Sequence, residues 1–322
     1  MDKAITKRFM QSVGLLSGAL AFGIGSAQAV PFTTGDIFAS TGSGNIDHYS
    51  GAGTLLETLN NGSGGFTTGS AFDTAGNLYL TNFSSNTVTQ FAGPGDPHTA
   101  SLFGSGYSTP ESIVFAADGH VLVGNLNNGI REFDASGAFV KTILPGVRVD
   151  WFDLGANQDT ILFTQEGNAI QSASRATGAQ GAQFANVGNF ALRFLSNGDV
   201  LVAAFANVQL LDSTGANIRT YDVTGVDSFF ALNLDPDGKS FLTGNFGTGN
   251  LYRFDIATGG LDNQLQTINT ASRALFGVSL FGEITVGNPP PTIPEPSTTL
   301  LLGAGLLAGF GTLARQRKSS SL

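Results

Sequence analysis

The stretch FLSNGDVLV at residues 194–202 places an Asn-Gly pair between two short apolar runs. Such a pair readily adopts the positive φ angles of a tight turn, so the stretch predicts a β-hairpin. Three other stretches have a similar form, namely FDTAGNLYL (72–80), FAADGHVLV (115–123) and LDPDGKSFL (234–242). The four turn glycines are separated by 43, 79 and 40 residues, and 79 is close to two periods of 40. The chain is therefore predicted to repeat one hairpin-containing unit about every 40 residues.

Two further features indicate how many units the chain contains. A fifth copy of the hairpin lies in the interval of 79 residues, where Asn157-Gln158-Asp159 precedes the apolar run Thr160–Phe163 and the glycine is lost. A second series of turn glycines has steps of 42, 42, 41, 37 and 44 residues: Gly53, Gly95, Gly137, Gly178, Gly215 and Gly259. Helix-period runs are missing between these turns, so each unit reads as about four short strands. We predict an all-β, six-bladed β-propeller, with seven blades as the alternative if a degenerate stretch hides another unit.

The two ends of the repeat array are incomplete in complementary ways. The first unit begins at Gly35–Ala39, in the part of the repeat that follows the hairpin turn, so its innermost strand is missing. After the last full unit one apolar strand stands alone, at Leu275–Phe281. A blade that joins strands from both ends would remove the exposed edges of an open ring. The propeller, placed at residues 30–286, is therefore predicted to close by joining its N-terminal and C-terminal strands.

The repeat phrases resemble those of NHL-type and streptogramin-lyase-like propellers over most of Gly35–Glu283. The resemblance lies in turn and strand patterning, so it implies a fold much more than an activity. Lyase and gluconolactonase-like propellers use His, Glu, Asp or Asn side chains around the central channel, with a divalent metal. This chain has three histidines, His48, His98 and His120, and none has a second histidine at ligand spacing. We expect all three at the surface, and we assign no catalytic residue, metal or cofactor.

One polar series recurs with the repeat. The second strand of four units ends on a side-chain amide: Asn82, Asn125, Gln165 and Asn245. Two interpretations are open, because the amides could cap the turn that follows each strand or could form a ring that faces a ligand. Trp151, the only tryptophan, begins the inner strand of a degenerate unit, where packing in the core or lining of the channel is expected.

The first 29 residues have the layout of a secretory signal peptide. Lys3, Lys7 and Arg8 give a positive start, and the apolar run Val13–Ile24 follows. Ala27-Gln28-Ala29 then supplies the small-x-small pattern, with Ala27 and Ala29 at the positions that signal peptidase accepts. Residues 1–29 are therefore predicted to direct export and to be removed.

The C-terminus has three parts in a fixed order. A proline-rich linker at 287–297 contains Pro294, Glu295 and Pro296, and an uncharged apolar run occupies residues 298–314. As a helix this run would reach roughly 26 Å, enough for a short transmembrane span. The basic end at 315–322 carries the stop-transfer residues Arg315, Arg317 and Lys318, which favour the cytoplasmic side.

This end resembles the PEP-CTERM sorting signal, which exosortase processes in Gram-negative bacteria that make extracellular polysaccharide. The resemblance implies that the inner membrane holds the chain through the helix at 298–314 before processing. The exported product would then reach the cell surface or the extracellular matrix. A plain tail anchor is the other interpretation of the same residues.

Composition excludes several functions for the exported core. Without the signal and the tail the core has 9 basic and 22 acidic residues, a net charge of −13, which is unfavourable for binding nucleic acid. The chain has no cysteine, so thiol chemistry and a disulfide framework are excluded. We expect a non-catalytic binding protein whose partner is polysaccharide or a surface protein. A divergent lyase or lactonase is the alternative, and a structural spacer is a third hypothesis.

Overall fold

A computed structural model of the chain describes residues 30–93, 98–167, 169–266 and 274–283, with only the backbone of residues 262–266. All regular structure in these residues is β-strand. The segments that the sequence analysis assigns to the signal peptide (1–29), the linker (287–297), the membrane span (298–314) and the basic tail (315–322) lie outside the described residues.

The described strands form six four-stranded sheets, which are the blades. Blade 1 contains β1 (Ile37–Thr41), β2 (Asn45–Tyr49), β3 (Leu55–Asn60) and β24 (Leu275–Leu280). Blade 2 contains β4 (Thr67–Phe72), β5 (Leu78–Asn82), β6 (Thr87–Phe91) and β7 (Ala100–Leu102). Blade 3 contains β8 (Pro110–Phe115), β9 (Val121–Asn125), β10 (Gly129–Phe133) and β11 (Phe139–Ile143).

The other three blades have the same antiparallel order. Blade 4 contains β12 (Phe152–Leu154), β13 (Thr160–Phe163), β14 (Ile170–Ser174) and β15 (Gln180–Ala185). Blade 5 contains β16 (Leu192–Phe194), β17 (Val200–Ala203), β18 (Val208–Leu211) and β19 (Asn217–Tyr221). Blade 6 contains β20 (Phe229–Leu234), β21 (Ser240–Asn245), β22 (Asn250–Asp255) and β23 (Leu261–Gln266).

The inner strands of the blades contact one another in a closed ring, in the order β24, β4, β8, β12, β16, β20 and back to β24. The predicted six-bladed propeller is therefore confirmed, and the six-blade prediction holds over the seven-blade alternative. Buried Phe, Leu, Ile and Val side chains fill the spaces between neighbouring blades, for example Phe152 between blades 3 and 4. This packing forms a core without disulfides.

The hairpin turns adopt the geometry that their glycines predict. Gly198 has a φ of 89°, and its N–H donates to the Leu195 carbonyl to close the turn. In the degenerate fourth blade Gln158 takes the same position, with a φ of 58° and an N–H bond to the Gly155 carbonyl. The backbone thus keeps the turn where the sequence has lost the glycine, at the cost of a left-handed non-glycine residue.

Blade 1 closes the ring as predicted. β24 pairs with β1 in antiparallel register, with Ile37 opposite Leu280 and Phe38 opposite Ser279. The pairing continues beyond the strands, because the Gly35 N–H donates to the Phe281 carbonyl at 2.9 Å. Both ends of the described chain are therefore held in one sheet, which leaves no open inner edge in the ring.

Histidines near this closure are buried, so the prediction that they lie at the surface is wrong for two of the three. The ring of His48 stacks on Phe38 and lies between two carboxylates, with Nε2 3.0 Å from Asp36 and Nδ1 2.9 Å from Glu57. The ring of His98 stacks on the buried Phe32. Polar side chains can be buried when other groups stack on them or form hydrogen bonds with them. Here phenylalanine rings and nearby oxygen acceptors are these partners. Sequence spacing does not reveal those partners.

The ring is so narrow that some inner strands contact backbone to backbone. Gly277 of β24 lies against the carbonyl oxygen of Thr68 in β4, and a Cβ atom at Gly277 would overlap that oxygen. Gly69 of β4 makes the same kind of contact with Glu111 and Ser112 of β8. These glycines are needed for close approach between strands.

We expect Gly277→Ala to destabilise the protein by about 1–3 kcal/mol, because the new methyl group must push β24 away from β4. Gly167→Ala is the matched control, since a Cβ at Gly167 meets no atom within 4 Å and its φ is not in the left-handed region. Chemical denaturation of both variants measures the difference. Equal stability of the two variants would contradict the close contact.

A buried carboxyl at the end of β24 makes this closure sensitive to pH. Burial raises the pKa of Glu283 to about 7, against the opposing charge of Arg193. The folded protein therefore keeps this proton up to about pH 7, whereas the unfolded chain loses it near the ordinary value of 4.5. Between these values the folded state binds more protons, so this group's contribution to stability falls as pH rises.

We expect Glu283→Gln to lose this dependence on pH. As pH rises from about 4.5 to about 7, the unfolding free energy of the native protein should fall relative to that of the variant. Urea titrations at several pH values measure this difference, and other titrating groups cancel in the comparison. A constant difference over this interval would show that Glu283 is ionised in the folded protein.

Candidate functional site

The four amides of the recurring series lie at one end of the propeller, which we call the mouth end. The inner strand of each blade starts at this end. Thr67, the first residue of β4, pairs with Asn82, the last residue of β5, and Pro110 of β8 pairs in the same way with Asn125 of β9. Three of the four amides, all but Gln165, are buried. These side chains are packed into the blades and do not lie on the open surface.

Each amide forms hydrogen bonds to its own surroundings. The Nδ2 of Asn82 donates to Thr87 and Thr89, and the Oδ1 of Asn125 accepts from the Ser108 N–H. In the same way, the Oδ1 of Asn245 accepts from the Thr248 N–H, and the Nε2 of Gln165 donates to the Arg148 carbonyl. The structure thus places these amides as supports for the loops at the mouth end.

The residue directly after each amide lines a cavity on the propeller axis. Phe83, Leu126, Glu166 and Phe246 follow the four amides and border this cavity of about 420 Å³. Phe205 takes the same position in blade 5. In blade 1 the position is Gly42, where a Cβ atom would press against the rings of Phe66 and Phe276. The recurring amides therefore lie at the end of the propeller where this cavity is found, and the position that lines the cavity is one residue further along.

Six phenylalanine rings from blades 1, 2, 5 and 6 form a continuous arc around this cavity. Successive ring centroids are 4.7 to 6.0 Å apart in the order Phe66, Phe276, Phe246, Phe230, Phe190, Phe205. We call these side chains the phenylalanine arc. Three of them are exposed to solvent: Phe205 by 51%, Phe66 by 44% and Phe246 by 37%. Contiguous exposed apolar surface is a common feature of interaction sites.

Trp151 lies behind the arc. Its ring is buried and packs edge to face on Phe230, with centroids 6.1 Å apart. The expectation that Trp151 belongs to the core is therefore confirmed. The only tryptophan of the chain thus contacts a ring that borders the cavity.

Blades 3 and 4 line the other side of the cavity with charged groups. Glu111 of β8, Asp150 and Glu166 place carboxylate oxygens within 4.8 Å of one another. The Arg148 guanidinium joins two of them, because its Nε is 2.9 Å from both oxygens of Asp150 and one Nη is 2.8 Å from Glu166. We call Glu111, Asp150 and Glu166 with Arg148 the acidic cluster. Sequence analysis did not identify it.

Burial changes the protonation of this cluster. Burial raises the pKa of Glu111 well above its usual range, and the charges of Asp150 and Glu166 raise it further. Burial also raises the pKa of Asp150, which the Arg148 guanidinium opposes. Burial and the charge of Asp150 raise the pKa of Glu166 as well, so three carboxyl groups with raised pKa values share the one guanidinium of Arg148.

The oxygen donors of the cluster are of the type that Ca²⁺ and Mg²⁺ use, and the propeller enzymes named above hold a divalent metal in the channel. The arrangement does not fit such an ion, however. The guanidinium of Arg148 takes both oxygens of Asp150 and one oxygen of Glu166. Arg148 therefore occupies carboxylate oxygens that a metal ion would need as ligands.

A second group of possible ligands, Asp118, His120 and Glu132, lies around the hairpin turn at the opposite end of blade 3. One Nη of Arg175 in blade 4 is 2.7 Å from both Asp118 and Glu132. This arginine again stands where a metal would bind. The group is therefore an ion-pair network that ties blade 3 to blade 4.

Comparison with known proteins identifies the C-terminus. Residues 292–318 match the PEP-CTERM protein-sorting motif, which includes the predicted Pro294, Glu295 and Pro296. The chain carries a PEP-CTERM sorting signal. It is therefore an exported, exosortase-sorted protein with a propeller fold. Within the part of the chain that the structure describes, no helix is long and apolar enough to cross a bilayer, and the predicted span at 298–314 lies outside that part.

The propeller fold has a solved counterpart. A chain in the crystal structure of a nidogen–laminin complex aligns with a TM-score of 0.61 and 14% sequence identity. The alignment covers 76% of this chain and 97% of that one. At this identity the similarity shows the fold alone. A sequence search of curated proteins gives no match.

Proposed function

We propose that this exported propeller acts by binding and not by catalysis, and that it holds its ligand at the mouth end. The observation that carries the proposal is the phenylalanine arc, in which three rings are exposed around an axial cavity. Ligand sites are typically concave and mostly apolar, with a few polar groups at fixed positions. The cavity has this composition, since the acidic cluster supplies the polar groups on one side.

The acidic cluster is the observation that favours the second candidate, a divergent lyase or lactonase. Three converging carboxylates beside an axial cavity are compatible with acid–base chemistry. Binding is the better-supported proposal, because Arg148 occupies the carboxylates that would act. In addition, no histidine lines the cavity among the described residues.

We further propose where the protein works. Signal peptidase would release the N-terminus, and the helix at 298–314 would hold the chain in the inner membrane until exosortase acts on it. The processed protein would then reside at the cell surface or in the exopolysaccharide matrix, bound to polysaccharide or to a surface protein. The sorting motif at residues 292–318 supports this route.

We expect Phe205→Ala and Phe246→Ala, made in the native host, to lower the fraction of protein retained in the surface and matrix fraction several-fold. Phe139→Ala is the matched control, because Phe139 is also 51% exposed but lies on the outer strand β11, away from the cavity. Quantitative immunoblots of the fractions measure retention. Equal retention of all variants would refute binding at the mouth end. Turnover of a lactone or cyclic depsipeptide with Mg²⁺ or Ca²⁺, abolished by Glu111→Gln, would instead establish the enzyme.

We expect the mature protein to lose its C-terminal tail near Pro294–Pro296 in a host that has exosortase. A host without exosortase should keep the full tail in its inner membrane, because Arg315, Arg317 and Lys318 resist translocation. Intact-mass measurement of the protein from both hosts separates the two forms. A tail still attached in the native host would leave it as a plain membrane anchor.

A further inference from the structure

We propose that the cavity at the mouth end binds an organic cation with an apolar body, such as an alkylammonium compound. This inference rests on the proposed binding function and specifies the ligand. The phenylalanine arc comes from blades 1, 2, 5 and 6, whereas the acidic cluster comes from blades 3 and 4. The cavity therefore has an aromatic side and an anionic side, and a matching ligand has an apolar part and a positively charged part.

The charge of the cavity selects against other ligands. Among the described residues that line it, Arg148 is the one positively charged side chain, and it is already paired with Asp150 and Glu166. The faces of phenylalanine rings carry negative charge density and attract cations. The acidic cluster has three carboxyl groups and one guanidinium, so its side of the cavity also favours a cation, and the net charge of −13 on the core attracts one from a distance.

The size and polarity of the cavity further limit which ligands fit. A volume of about 420 Å³ is in the range of sites for small molecules. Outside the acidic cluster, Thr68 and Ser228 are the polar residues among the described lining. The Thr68 hydroxyl is engaged with Thr81 and the Pro110 carbonyl. A neutral sugar needs many hydrogen-bonding partners, so a compact cation on an apolar body fits the cavity better. A polysaccharide or surface protein held at the mouth end would therefore have to present such a cationic group to the cavity.

Binding of a cation should also depend on pH. Glu111 faces Asp150, Glu166 and Arg148, and burial among these groups raises its pKa. A bound cation favours the ionised carboxylate, so Glu111 would release its proton on binding. Affinity for a permanent cation should therefore increase as pH rises, until Glu111 is ionised in the free protein as well.

The test compares three probes that share a six-carbon chain and differ in the charge of the group at its end: hexyltrimethylammonium, 1-hexanol and hexanoate. Calorimetry on the mature protein gives affinities, and the fluorescence of Trp151 reports occupancy because its ring contacts Phe230. We expect the cation to bind about tenfold more tightly than the alcohol, and hexanoate more weakly than both. An alcohol that binds as tightly as the cation, or a preference for hexanoate, would overturn the inference.

Variants separate charge from apolar contact. Glu166→Gln should lower the affinity for the cation about threefold to tenfold and leave the affinity for the alcohol unchanged. Phe205→Ala should weaken both, and the control Phe139→Ala neither. A cation affinity that Glu166→Gln does not change would overturn the inference.

The two proposals fail in different ways. If none of the probes binds while Phe205→Ala still reduces retention in the host, the cavity is the binding site and the ligand is not an organic cation. If the cation binds selectively while retention is unchanged in the Phe205→Ala variant, the ligand inference holds and attachment to the surface depends on another part of the protein.

Discussion

The pairing of β24 with β1 is the interaction on which the rest of the structure depends. A ring of sheets keeps an exposed inner edge unless its last strand completes the first blade. This pairing places Gly277 of β24 against Thr68 of β4, so the closing strand also fixes the distance between neighbouring blades. It also places Phe276 between Phe66 and Phe246, which makes the phenylalanine arc continuous. Closure of the ring and formation of the mouth therefore depend on the same six residues of chain.

The narrowness of the ring explains why functional groups gather at its end. Along the axis the inner strands are close enough that Gly69 and Gly277 cannot carry a side chain. Several of the large side chains that line the cavity lie where the inner strands begin. Phe66 precedes β4 and Phe190 precedes β16, and both lie at this end. The cavity is thus a geometric result of packing six twisted sheets around a tight centre.

The fold could be predicted from the sequence because its determinants are local and repeated. Turn glycines such as Gly198 recur with the blades, and the unpaired strand at 275–281 indicated the closure. The site could be predicted only in part. The amides at Asn82 and Asn245 lie at the end of the propeller that holds the cavity, but they do not line it. Most residues that do are phenylalanines, which nothing in the sequence sets apart from phenylalanines of the core.

The acidic cluster left no signal in the sequence. Glu111 lies in blade 3, and Asp150 and Glu166 lie on either side of the first hairpin of blade 4, so only the ring brings the three together. The burial of His48 was missed for a more local reason, because its partners Asp36 and Glu57 lie on either side of it in blade 1 and approach it only when the strands pair. Local patterns report turns and strand faces, and contacts between distant segments need the assembled fold.

Exposed phenylalanine rings carry a risk for a protein that has no disulfide and works outside the cytoplasm. An apolar surface around Phe205 and Phe66 would favour self-association if it were flat and neutral. Two features of the molecule oppose this. The rings border a cavity and not a flat face, and the carboxyl groups of Glu111 and Glu166 line the same cavity. Two mouths brought face to face would bury the carboxyl groups of both, which is costly. The acidic cluster thus opposes contact between two mouths, whereas a ligand with a complementary positive charge would not meet this cost.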